Sequence, residues 1–228
     1  MGKWSVERWA ASTGIGFVVL LLVGGLIPGS PKKYNASAAD IAGYFHDKHK
    51  ALLVAGILYG LAYILFLWFL ASFAGAFREA GQRRVSTIMY GAGVATLTIG
   101  AAADGLNMAT ARLVALGTPD DTIKALYGVD QFVYGRLFWT AAAFALATYF
   151  AASRTSLMPD WFAWLSVVAA VLFVLGGLAI KTSGFFSPSG GMPFIAFLAM
   201  LVWILVSSVL LVQRTAGETM TAPATSPM

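Results

Sequence analysis

The stretch Ala51–Phe77 reads ALLVAGILYGLAYILFLWFLASFAGAF and contains no charged side chain. A helix of about 20 apolar residues crosses the roughly 30 Å hydrocarbon core of a bilayer. In lipid, backbone N–H and C=O groups have to be paired within their own segment, so a run of this length is expected to be a spanning α-helix. Five further apolar runs flank it, at about 10–27, 86–116, 129–152, 161–180 and 194–212. The reading is an all-α fold: a polytopic membrane protein whose residues 1–214 form one six-transmembrane-helix bundle with short loops. The tail 215–228 has too little apolar content to fold and is expected to be disordered.

Composition agrees. Hydrophobic residues make up 59% of the 228-residue chain and charged residues 11%, against about 25% charged in an average soluble domain. The net charge of +5 is spread over the loops. That suits anionic lipid headgroups and argues against nucleic acid, which would require a clustered basic patch. The absence of cysteine excludes disulfides, thiolate nucleophiles and Cys-ligated metal centres. The first run resembles a secretory signal, with Lys3 and Arg8 before Ile15–Ile27 and an Ala36-Ser37-Ala38 site beyond. That site is too far from the apolar segment for cleavage, so a retained first helix is expected.

The breaks between runs carry Pro, Gly or Arg, as at Pro28-Gly29-Ser30-Pro31, Arg78–Val85, Gly117-Thr118-Pro119 and Lys181–Gly191. In the first long loop, Ser37 is suited to cap a short helix, with Ile41, Tyr44 and Phe45 on one side. The expectation is a separate amphipathic helix, Ala38–His49, lying flat at the headgroup boundary. An even number of spans places both termini on one side. Lys3, Arg8, Arg78, Arg83, Arg84, Arg154 and Arg214 stand on that side against Lys32, Lys33, Lys48, Lys50, Lys124 and Lys181 on the other. This narrow excess favours cytoplasmic termini.

Polar residues inside the runs are the only leads to a site. Asp104, Asn107 and Arg136 form the candidate polar centre, because intramembrane ionisable groups usually face a bundle interior and are costly without a partner. Depth counting brings Asp104 and Arg136 within about two helical turns, so a direct or water-bridged pair is expected. Its role is either a ligand or proton site, or a structural ion pair between helices 3 and 4. Asp130 and Gln131 read as ordinary N-terminal residues of helix 4. Gly56 and Gly60 form a G-x-x-x-G pair suited to close helix packing, within the bundle or along a dimer seam. His46 and His49 share a face at i, i+3 as weak metal candidates, disfavoured by Lys48 and Lys50. No other metal site and no cofactor is expected. No G-x-S-x-G elbow or second intramembrane Asp suggests catalysis.

Three stretches resemble an uncharacterised family of six-helix bacterial membrane proteins common in actinobacteria. They are Ala36–Lys50 (ASAADIAGYFHDKHK), Leu65–Arg84 (LFLWFLASFAGAFREAGQRR) and Leu157–Ala163 (LMPDWFA), the last similar to a Pro-x-Trp helix start. The resemblance implies a six-helix fold in a bacterial inner membrane and adds no activity and no site residues. The expected function is non-enzymatic: an accessory or scaffolding subunit packing against other membrane proteins or itself, with membrane lipids as partners. The alternative is a small transporter or lipid- or small-molecule-binding protein using Asp104, Asn107 and Arg136.

Overall fold

A computed structural model describes the backbone of residues 6–221 and the side chains of residues 9–214. Among the described residues there are six helices: α1 (Val6–Leu26), α2 (Ala38–Glu79), α3 (Arg83–Val114), α4 (Asp120–Ala152), α5 (Asp160–Gly177) and α6 (Gly191–Thr221). Consecutive helices pack against each other and α1 packs against α6, closing a ring; α2 also touches α4, leaving α3 in the outer groove between them. Five helices, all but α4, are long and apolar enough to cross a membrane. The chain is a multi-pass membrane protein.

α4 falls short of that apolar measure because Asp120, Asp121, Lys124, Asp130, Gln131 and Arg136 occupy its first half. It is nonetheless sandwiched between α3 and α5. The turns that reverse the chain are made by glycine. Gly81 (φ +89°) follows α2 and Gly117 (φ +80°) follows α3, each in the left-handed region. Gln82 N–H then donates to Phe77 O at 3.0 Å, and Thr118 N–H to Leu113 O at 3.3 Å, pairing carbonyls the helix ends leave open.

The inner half of the bundle is held by aromatics. Phe66, Phe69, Phe73 and Phe77 recur at helical spacing on α2 and are buried with Phe144, Phe162, Phe173 and Trp203. Phe144 and Trp203 meet edge-on, with ring centroids 4.9 Å apart and planes at 87°, the geometry ring quadrupoles favour. Ser208 Oγ donates to Ala11 O at 2.5 Å and ties α6 to α1.

The expected flat helix at Ala38–His49 is not separate. α2 runs unbroken for 42 residues, about 63 Å at 1.5 Å per residue and roughly twice the hydrocarbon thickness. Ser37 does cap it, its Oγ accepting from Asp40 N–H at 3.1 Å. Ile41, Ala42, Phe45 and Leu52 bury against Ala111 of α3 and Ile123 and Tyr127 of α4 in a second small core. α3 and α4, at 32 and 33 residues, are also longer than a span requires. The three helices therefore extend together, as a packed layer, beyond the length that a span requires. α4 starts at Asp120 rather than Val129, because Pro119 opens a helix whose first turns have this core to pack on. At the other end, the α6 backbone is helical through Thr221, beyond the expected end at 212. The remainder of the expected disordered tail, 222–228, lies outside the described residues.

Candidate functional site: a cavity inside the helix ring

A cavity of about 690 Å³ lies inside the ring and opens between the α1–α2 and α5–α6 loops. Its lining changes with depth. The floor is apolar, made by Phe17 of α1, Phe66 of α2, Phe144 of α4 and Trp203 and Ile204 of α6. Above it, toward the projecting layer, come Tyr59 and Tyr63 of α2, Asp104 and Asn107 of α3, and Asp130, Gln131 and Tyr134 of α4. Each pair follows helical spacing, at i, i+3 or i, i+4, so each helix presents one polar patch inward from an otherwise apolar run.

The mouth is framed by loop. Pro28–Pro31 and Lys33 stand on one side and Pro188–Gly191 on the other. Tyr127 Oη donates to Lys32 O at 2.5 Å. Tyr34 N–H donates to Ser189 Oγ at 2.6 Å, joining the two loops. The Tyr34 ring also meets Phe132 edge-on at 5.8 Å.

Asp104 and Asn107 both line the cavity. Arg136 does not. It stands six residues past Asp130, about 120° round the helix at 3.6 residues per turn. It is exposed on the outer side, in a separate groove with Tyr34, Lys124, Phe132 and Thr182. Its Nη2 donates to Gly177 O at 3.4 Å, placing a cation at the C-terminus of α5, where the helix dipole favours one. Asp104 and Arg136 form no ion pair among the described residues. The two would meet in depth only with a helix 4 that starts at Val129. With the true start at Asp120, Asp130 becomes the α4 charge facing Asp104.

Asp130 is not a helix-starting residue but lies three turns into α4, with only 5% of its surface exposed. Gln131 Nε2 donates to its Oδ2 at 3.3 Å, and the Asn107 side chain is directed at the same carboxylate. Asp104 lies within Coulombic reach of it. Neither carboxylate has a Lys, Arg or His partner among the described residues. The hydroxyls of Tyr59, Tyr63 and Tyr134 make no hydrogen bond there either. The spacing of Asp130 with Tyr134, and of Tyr59 with Tyr63, was the signal that would have found them.

The remaining candidates resolve differently. Gly56 packs directly against the Met108 side chain of α3, which a Cβ would have to displace, whereas Gly60 is exposed and faces open space. Only half of the G-x-x-x-G pair is used within the chain. His46 and His49 are on the surface of the projecting segment: His46 Nδ1 is 3.7 Å from Asp47 Oδ1, and His49 Nδ1 is 2.8 Å from His46 O. Among the described residues no group of three or more His, Cys, Asp or Glu is placed to hold a metal ion.

No family model, no curated protein and no solved structure matches this chain. The resemblance to a bacterial six-helix family therefore reduces to its coarser content, a polytopic all-α membrane protein.

Proposed function

We propose that this chain is a non-enzymatic membrane protein that binds, and in a carrier role would pass on, an amphipathic small molecule or single lipid. The cavity carries this reading. Its volume of about 690 Å³ falls in the 300–1,000 Å³ range of small-molecule sites, which are mostly apolar with a few convergent polar groups. Packing against other proteins does not by itself account for a chamber graded from aromatic to acidic. Gly100 offers the cleanest test. It lines the cavity, and a Cβ there would meet only Tyr63 Oη, at 4.0 Å. Gly100→Phe should therefore place a ring in the chamber, and a wild-type melting profile checks that the bundle is kept. Mass spectrometry of protein released gently from membranes should find a small molecule or lipid on the wild type and lose it in Gly100→Phe. Equal occupancy in both would refute the reading.

The accessory-subunit role is a second proposal, supported by the outward stripe Ile57, Gly60, Leu61, Ile64 and Trp68 on α2. An exposed glycine with open space above it admits a neighbouring helix closely. A bacterial inner membrane with cytoplasmic termini belongs to the same proposal. It is testable by reacting single cysteines introduced in 28–37 or 153–159 with impermeant reagents from either side.

A further inference from the structure

Resting on the cavity reading, we infer that the ligand is a cationic amphiphile whose ammonium sits between the Asp104 and Asp130 carboxylates while its apolar body lies against Phe17, Phe66 and Phe144. Charge is the first argument. Two carboxylates line one chamber, one of them 5% exposed, and no cationic side chain of the described residues pairs with either. Buried charge is stable in proteins when it is paired and costly when it is not. The amides of Asn107 and Gln131 supply neutral donors to Asp130. A carboxylate has about four lone-pair positions, so acceptor capacity is left over. Asp104 contributes all of its own.

The second argument comes from the neighbours of the acids. The hydroxyls of Tyr59, Tyr63 and Tyr134 line the same level without a hydrogen-bond partner among the described residues. Hydroxyl oxygens accept from ammonium N–H groups, and tyrosine rings attract cations. The only cationic side chain in the lining is the exposed Lys33 at the mouth. It stands at the mouth and forms an ion pair with neither carboxylate.

The third argument separates an amphiphile from a bare ion. A hard metal cation takes six or more oxygen ligands, and no three-acid or His-containing cluster is present among the described residues. An inorganic ion would also leave the aromatic floor of Phe17, Phe66 and Phe144 without a role. An anionic amphiphile fits the floor but meets two carboxylates at the polar level. A positive head on an apolar body satisfies both ends.

The test uses three probes with one alkyl chain: n-decylammonium, n-decanol and n-decanoate. Each is titrated at neutral pH into protein in nanodiscs, with empty nanodiscs subtracted. Decylammonium should bind at least about tenfold more tightly than decanol, and decanoate most weakly; charge-assisted hydrogen bonds differ from neutral ones by about that factor. Asp130→Asn and Asp104→Asn should each bring the ammonium-to-alcohol ratio toward one, and whichever variant retains the wild-type melting profile serves. Decanol or decanoate binding as tightly as decylammonium, or Asn variants that keep the full ratio, would overturn the charge inference and leave the cavity reading intact. Failure of every probe to bind, or binding that survives Gly100→Phe, would overturn the cavity reading itself.

Discussion

Trp203 donates its indole N–H to Ser166 Oγ at 3.0 Å, joining α6 to α5 inside the aromatic core. The serine hydroxyl in turn donates to Phe162 O at 3.0 Å. One small side chain thus satisfies a buried donor and spends its own proton locally. Removing it by Ser166→Ala strands the Trp203 N–H, which should cost about 1–3 kcal/mol. Trp203→Phe carries its own cavity cost in this core, so the double variant should be less destabilised than the sum of the two singles, because the orphaned donor goes too. Unfolding titrations in one detergent for the two single variants and the double decide this. A Ser166→Ala cost below about 0.5 kcal/mol would show that the bond contributes little.

Phe45 tests the projecting layer. It is fully enclosed by Ile41, Leu52 and the ends of α3 and α4. Truncating such a ring to Ala costs about 3–5 kcal/mol in a core. Here the effect should be local. Amide exchange in 38–50 and 111–127 should accelerate in Phe45→Ala, while 62–77 stays protected by the separate aromatic core. Wild-type exchange in 38–50 already as fast as in a free peptide would contradict the second core.

Asp104 and Arg136 should behave as independent sites. They face different cavities, and effects at sites without shared partners add to within about 0.5 kcal/mol. A double-mutant cycle with Asp104→Ala and Arg136→Ala is therefore expected to show no coupling beyond that. A double variant markedly more stable than the two singles imply would restore the ion pair inferred from sequence.

Gly56 and Gly60 should respond oppositely. A larger side chain at Gly56 has to displace Met108, so Gly56→Leu should destabilise by about 1–3 kcal/mol through overpacking. Gly60 faces open space, and Gly60→Ala should be neutral or stabilise by up to about 1 kcal/mol through helix propensity. The chain has no native cysteine, so Gly60→Cys gives a single reporter. Self-cross-linking through it in membranes would reveal a second copy as the neighbour on this face, and none is expected if the stripe meets only lipid.

The class of the fold is legible in the chain alone. Span length and apolar content are properties of consecutive residues, and the solvent they require is read from them without knowing any neighbour. Runs such as Ala51–Phe77, broken by Gly and Pro, therefore predicted spanning helices in the right order. Asp104 and Asn107 were legible for the same reason, as polar groups inside an apolar run. The tertiary structure decided how far each helix continues and which way it faces. Ile41, Phe45 and Leu52 keep one helical phase across the expected break, but they extend α2 only because Ala111, Ile123 and Tyr127 give that face something to bury against. Asp130 turns inward and Arg136 outward on the same helix because α3 and α5 fix its rotation. Hydropathy sums along the chain, whereas rotation and burial are set by contacts between residues far apart in it.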